Sequence, residues 1–76
     1  MAIQLLFFGS LSEIAGAAGR ADLVADTDAL KEKLQRQYPL LKDLKYAVAV
    51  DKKIIHSNTV LHDGCTVALL PPYSGG

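Results

Sequence analysis

The chain has 76 residues, of which 50% are hydrophobic and 21% are charged, and its eight basic and eight acidic side chains give a formal net charge of zero. This length accommodates one small domain, and the composition is that of a globular chain. Zero net charge argues against binding to nucleic acid, because affinity for a polyanion depends largely on clustered Lys and Arg.

The first third of the chain predicts two strands joined by a short helix. Residues 3–8 form an apolar run that ends at a glycine, which is typical of a buried strand. Ser10 can cap a helix over residues 11–18, with Glu13 placed as in a capping box, and internal glycines limit this helix to one or two turns. Alternation over residues 20–25 predicts a second strand, paired with the first as a hairpin.

The main helix is predicted to follow, with Asp26 or Thr27 as its capping residue. Its buried face is a single apolar stripe of residues spaced four apart, Leu30, Leu34 and Tyr38. Pro39 ends the helix at Tyr38, because a residue that precedes proline avoids helical angles.

Three more strands are predicted in the second half, at residues 47–50, 54–55 and 66–70. The first and last strands of the chain are the most apolar, so we expect them side by side at the centre of the sheet. The fold class is therefore α+β, with a mixed four- to five-stranded sheet packed on one main helix. We expect a domain over residues 1–70 and a flexible C-terminal tail over residues 71–76.

Nothing in the sequence predicts secretion or membrane insertion. The apolar start lacks a basic segment, acidic Glu13 follows soon after, and the run is far shorter than the roughly 20 residues that span a bilayer. The single cysteine, Cys65, excludes an internal disulfide, which favours a reducing compartment. We therefore expect a soluble, cytoplasmic protein with no membrane or nucleic-acid partner.

Catalytic constellations are lacking in the sequence. The glycines form no phosphate-binding fingerprint, and His56 and His62 have no carboxylate at ligand spacing, so we expect exposed loop histidines and no metal site. Cys65 has no neighbouring base or helix start to activate its thiol, and we interpret it as a small buried hydrophobic residue. We expect no complete active site in this chain alone and no stably bound cofactor.

The end of the chain is the informative segment. Six residues that follow the last strand could reach about 20 Å when extended: Pro71, Pro72, Tyr73, Ser74, Gly75 and Gly76. The prolines stiffen the base, and the two glycines could enter a narrow channel with the terminal carboxylate first. A carboxylate is a poor electrophile, so any chemistry requires a partner that uses ATP to form an acyl-adenylate. A sulfur donor can then produce a C-terminal thiocarboxylate.

The sequence resembles the sulfur-carrier (small) subunit of molybdopterin synthase, a β-grasp protein of the ubiquitin-like superfold. The resemblance extends over essentially the whole chain. It rests on Leu5-Leu6-Phe7-Phe8 with the short helix after it, on Val48-Ala49-Val50 and Asp63-Gly64, and above all on the Pro-Pro-x-x-Gly-Gly ending over residues 71–76.

The resemblance implies the roles of the tail residues. Gly76 would be adenylated by a ubiquitin-activating-enzyme-like adenylyltransferase and converted to a thiocarboxylate. The tail, residues 71–75, would then insert into the large synthase subunit, and the sulfur would pass to cyclic pyranopterin monophosphate. Two small subunits would flank a dimer of large ones in a heterotetramer. Phe7 and Leu69 are further candidates for hydrophobic contact with these partners.

Three other functions share some of these features. Sulfur carriers of thiamine biosynthesis have the same fold and a Gly-Gly end, but they usually lack Pro-Pro four residues earlier. Ubiquitin-like modifiers conjugate the same glycine to lysines of other proteins. A plain binding module with an inert tail is the third alternative, since glycines at a terminus are common in disordered ends.

Overall fold

The computed structural model describes residues 1–71, so the predicted tail residues Pro72, Tyr73, Ser74, Gly75 and Gly76 lie outside the described residues. Within residues 1–71 the strands are β1 (Ala2–Phe7), β2 (Ala18–Asp22), β3 (Ala47–Val50), β4 (Lys53–Ile55) and β5 (Thr66–Leu70). The helices are α1 (Ser10–Ala15), α2 (Thr27–Gln37) and a 3₁₀ helix (Pro39–Asp43).

The five strands form one mixed sheet in the order β2-β1-β5-β3-β4. Strands β1 and β5 are parallel, whereas β1–β2, β3–β5 and β3–β4 are antiparallel pairs. The predicted placement of the first and last strands at the centre is confirmed. The predicted hairpin of the first two strands is also confirmed by the antiparallel register of Ala2 with Asp22.

Helix α2 covers one face of the sheet and supplies Leu30 and Leu34 to the hydrophobic core. Its N-terminus is capped by Asp26, whose Oδ1 accepts a hydrogen bond of 2.9 Å from the Ala29 N–H. The cap satisfies a backbone donor that has no partner within the helix. The helical part ends at Gln37, and Tyr38 packs against the core at its C-terminal side.

The segment after α2 differs from the prediction, which assigned no element between Tyr38 and the third strand. Pro39 does not simply terminate the helix, because it starts the 3₁₀ helix at a position where its missing N–H costs nothing. Leu41 on this helix is fully buried and completes the core below α2.

The first helix has between one and two turns, as predicted, but its bounds and its cap differ from the prediction. It ends at Ala15, and its N-cap residue is Gly9, with no side-chain cap hydrogen bond. Ser10 lies inside the first turn, so its predicted capping role is wrong. Instead the Ser12 hydroxyl donates to the Gly9 carbonyl at 2.7 Å.

The second strand also lies earlier than predicted, at Ala18–Asp22 rather than at residues 20–25. The cause is the register, since Asp22 already pairs with Ala2 at the start of β1 and leaves no strand for later residues to pair with. Leu23 and Val24 instead pack as partly buried side chains against the core.

No helix within residues 1–71 is long and apolar enough to cross a bilayer.

Candidate docking face and tail exit

The two central strands divide their side chains strictly between the two faces of the sheet. Because successive residues of a strand point to opposite faces, Leu5 and Phe7 of β1 lie on the α2 side, and so do Val67 and Leu69, their register partners on β5. Ile3 continues the α2 side of β1 and is fully buried. The alternate residues of the two strands face away from α2, where the structure places no helix of residues 1–71 over them: Gln4, Leu6, Thr66, Ala68 and Leu70.

This second surface, which we call the open face, is predominantly apolar. It forms a shallow depression of about 700 Å³. Its apolar lining comprises Leu6, Phe8, Ala49, Ile54, Ala68 and Leu70. Phe8 is 44% exposed at the end of β1 and Ile54 is 57% exposed on the edge strand β4, so a large hydrophobic side chain is exposed to solvent on each side of the depression. A contiguous exposed apolar patch of this kind typically marks an interaction surface.

The open face corrects the predicted partner contacts of Phe7 and Leu69. Phe7 is 4% exposed and Leu69 is 1% exposed, and both belong to the hydrophobic core. Phe7 also contacts Tyr38 in an edge-to-face arrangement with ring centroids 6.5 Å apart. The prediction selected the correct two strands but the wrong face. The residues that line the open face are the next ones along the chain, Phe8 after Phe7 and Leu70 after Leu69.

The tail begins at the end of β5, beside the turn that leads from β1 into α1. The Phe8 N–H donates to the Leu69 carbonyl at 3.1 Å, which extends the β1–β5 pairing by one step. Pro71 follows as a half-buried residue that packs against Gly9. The last described residue of the chain is thus held at the end of the open face, adjacent to Phe8 and Leu70.

A polar turn closes the opposite end of the open face. Asp51 and Lys52 connect β3 to β4 with positive φ angles of 49° and 72°. One carboxylate oxygen of Asp51 accepts a hydrogen bond of 3.0 Å from the Thr66 N–H, and the other lies 3.1 Å from Nε2 of His62. The Thr66 hydrogen bond, and secondarily His62, hold the pKa of Asp51 below its ordinary value. The turn is therefore tied to the start of β5.

The cysteine and the two histidines of the chain, for which no catalytic or metal-binding role is predicted, lie where the sequence predicts them. Cys65 is fully buried in the core, which confirms its interpretation as a small hydrophobic residue. His56 and His62 are exposed, as predicted. Among residues 1–71 no group of three or more His, Cys, Asp or Glu side chains is arranged to hold a metal ion.

Asp26 caps α2, and the hydrogen bonds from Ala29 and Asn58 hold its pKa below the ordinary value.

A mixed sheet of five strands with one long helix packed across a single face defines a β-grasp protein, of the ubiquitin-like class. The chain belongs to the ThiS family, whose sequence model matches residues 5–76, and within it to the sulfur-carrier subunits of molybdopterin synthase.

Two similar proteins support this placement, and a third is similar in fold and length. The chain is 32% identical to the molybdopterin synthase sulfur carrier subunit of Mycobacterium tuberculosis, with 97% of this chain and 96% of that protein covered. A structure of the complex of subunits 1 and 2 of molybdopterin-converting factor from Helicobacter pylori matches with a TM-score of 0.75 and 32% identity over all of both chains. SAMP1, the small archaeal modifier protein 1 of Haloferax volcanii, matches with a TM-score of 0.76 and 26% identity, also over all of both chains.

Proposed function

We propose that this chain is the sulfur carrier of a molybdopterin synthase and that Gly76 is its working residue. The observation that carries the proposal is a match to the ThiS family that continues through the Gly-Gly end of the chain, to residue 76. The similarity to the M. tuberculosis sulfur carrier subunit over 97% of this chain supports the same function.

The chemistry begins with activation of the Gly76 carboxylate. In a ubiquitin-activating-enzyme-like adenylyltransferase, a carboxylate oxygen attacks the α-phosphorus of ATP, and pyrophosphate leaves. Sulfur delivered as hydrosulfide then attacks the carbonyl carbon of the acyl-adenylate, AMP leaves with the bonding electrons, and the new thioacid loses its proton. The product is a thiocarboxylate, which is a better nucleophile than the original carboxylate. ATP belongs to the partner in this scheme, because this chain contributes only the acyl group.

The second partner is the large subunit of molybdopterin synthase. In its pocket the thiocarboxylate donates sulfur to cyclic pyranopterin monophosphate, within a heterotetramer of two small and two large subunits. The H. pylori structure, in which subunit 1 of the converting factor is bound to subunit 2, supports a partner of this kind. The tail, residues 71–76, is the part of the chain that enters the pocket.

The open face is the surface that we assign to docking. Its apolar centre includes Leu6, Phe8 and Leu70, and Leu70 directly precedes the first tail residue. A partner that covers this face therefore also meets the chain at the point where the tail starts. Docking by burial of apolar area leaves the terminal carboxylate free to be the reacting group.

The proposal is tested first on the terminus itself. Protein purified from its host should contain a species whose intact mass shows one oxygen replaced by sulfur. Deletion of Gly76, or addition of one residue after it, should abolish molybdopterin formation in a reconstituted synthase while the thermal melting curve stays unchanged. Molybdopterin formation by the protein lacking Gly76 would contradict the proposal.

Conjugation to other proteins is the second candidate function, and the similarity to SAMP1 over the full length of both chains favours it. A modifier would form an isopeptide bond between Gly76 and lysines of its targets, so lysates that contain a tagged chain would show a ladder of larger species. A host lysate with the sulfur-containing mass and no ladder supports the carrier alone. A ladder that disappears on deletion of Gly76 would establish conjugation.

A further inference from the structure

We infer that Gly9 is a positioning residue for the C-terminal tail, because its lack of a side chain sets where Pro71 lies as the chain leaves the sheet. This inference rests on the proposed function, and it concerns a residue more than sixty positions away from the tail in sequence. The turn after β1 thereby has a role in placing the tail, in addition to its part in the packing of the domain.

The contact is close enough to leave no room for a methyl group. A Cβ built on Gly9 would lie 2.9 Å from Cγ of Pro71 and 3.5 Å from its Cδ. Carbon atoms that are not bonded pack at about 3.5–4.0 Å, so a side chain at Gly9 would force one of the two residues to move. The Pro71 ring therefore rests directly on the Gly9 backbone.

Gly9 is held by more hydrogen bonds than Pro71 is. Its carbonyl accepts hydrogen bonds from the Ser12 N–H at 3.1 Å and from the Ser12 hydroxyl at 2.7 Å. The neighbouring Phe8 carbonyl accepts from the Leu11 N–H at 3.2 Å, so both residues are anchored to the first turn of α1. Gly9 also has φ of 58° and ψ of −136°, a combination that side chains avoid.

Pro71 has fewer constraints. The last register pair of β5 joins Leu70 with Ala47, and Pro71 has no N–H with which to continue the ladder. A side chain at residue 9 would therefore displace Pro71 more readily than it would displace the turn. The five residues beyond Pro71 would start from a shifted point, and a misplacement of about 1 Å can cost a reaction about 100-fold.

Two other glycines provide matched controls for backbone strain. Gly16 and Gly64 have positive φ angles of 85° and 81°, but a Cβ on either would meet nothing within 4 Å. Alanine at these positions incurs the conformational penalty of a positive φ without touching the tail. Gly64 precedes β5, so it lies at the far end of that strand from Pro71.

The test compares Gly9→Ala with Gly64→Ala as substrates of the activating adenylyltransferase, with adenylation followed by pyrophosphate release. We expect Gly9→Ala to lower kcat by about tenfold or more, with KM close to that of the unmodified chain, because docking through the open face is intact. Gly64→Ala should retain the kcat. A purely structural defect would remove competent protein from solution and raise the apparent KM without lowering kcat.

A second variant removes the same contact from the other side. In a chain that carries Pro71→Ala, which has no Cγ, the additional Gly9→Ala substitution should lower kcat much less than it does beside Pro71. If the single Gly9→Ala protein does not fold, the kcat of the double variant is compared with that of the Pro71→Ala chain alone, and a loss of about tenfold or more there would overturn the inference. An equal loss of kcat in both backgrounds, or a Gly9→Ala protein that matches Gly64→Ala in kcat and KM, would overturn the inference. Failure of the unmodified chain to be adenylated would instead overturn the proposed function.

Discussion

The α2-facing side of strands β1 and β5 is entirely apolar, and their open side is largely apolar apart from Gln4 and Thr66, but the two sides meet different surroundings. On one side Leu5, Phe7 and Leu69 are at most 4% exposed beneath α2. On the other side Phe8 is 44% exposed beside Leu6 and Leu70. Apolar side chains that stay exposed to solvent add little to the stability of the domain, so the apolar character of the open side is explained by contact with another molecule.

We expect the largest difference in unfolding free energy between the two sides when each of two adjacent phenylalanines, Phe7 and Phe8, is truncated to alanine. Phe7→Ala should lower the free energy of unfolding by about 3–5 kcal/mol, because it leaves a cavity under α2 and removes the contact with Tyr38. Phe8→Ala should change it by at most about 0.5 kcal/mol, since Phe8 is partly solvated already. Urea denaturation of both proteins measures the difference.

The same pair separates stability from partner binding. Phe8→Ala should weaken binding to the large synthase subunit in a titration, although it remains fully folded. Equal losses of stability for the two variants would contradict the assignment of the faces.

We expect a somewhat smaller loss of stability from truncating a buried side chain of α2, the helix that covers one side of the sheet and leaves the other side open. Leu34→Ala on the buried side of α2 should cost about 2–5 kcal/mol of unfolding free energy. Glu32→Ala is the matched control, because Glu32 is exposed and forms only a surface ion pair with Arg36, worth a few tenths of a kcal/mol. A negligible loss for Leu34→Ala in chemical denaturation would mean that the core lies elsewhere.

The smallest effect concerns the polar rim of the open face and its dependence on pH. The pKa of Asp51 is lower in the folded protein than its ordinary value of 3.8, so its charged form stabilises the fold above that pH. This contribution is lost as the pH falls through the lower, folded-state pKa. The difference in melting temperature between the unmodified protein and Asp51→Asn should therefore shrink below pH 3.8.

Asp26 has a lowered pKa too, but it is unchanged in both proteins of this comparison and cancels. A difference in melting temperature that stays constant from neutral pH to acid would show that the charge of Asp51 does not stabilise the turn.

Much of the fold was predictable because local patterns and tertiary packing agree. The bounds of β3 and β5 were predicted without error, since each is a short, mostly apolar run that ends at residues unsuited to a strand, Asp51 and Pro71. The spacing of Leu30 and Leu34 identified the buried side of α2. The 3₁₀ helix was missed because its one core residue, Leu41, is accompanied by exposed Leu40, and five residues give no periodic signal.

The candidate site was predictable only in part. A two-residue period reveals that a strand has two faces, and the one polar residue of each central strand, Gln4 in β1 and Thr66 in β5, marks the open side. The alternation that starts from these two residues puts Phe7 and Leu69 on the buried side, but the prediction did not use it.

The contact between Gly9 and Pro71 was invisible, because it arises from the parallel pairing of the first and last strands. The prediction that Gly76 is the working residue stays a prediction.

The central position of β5 has a consequence for synthesis of the protein on the ribosome. β5 is inserted between β1 and β3, so neither of these strands has its full set of hydrogen-bonded neighbours until the last strand has emerged. Most of the nascent chain must wait for residues 66–70 before the sheet can close, because contacts distant in sequence form late. A product that terminates before β5 would therefore lack the strand that joins β1 to β3 and would fail to fold, whereas a product that lacks only tail residues would still fold.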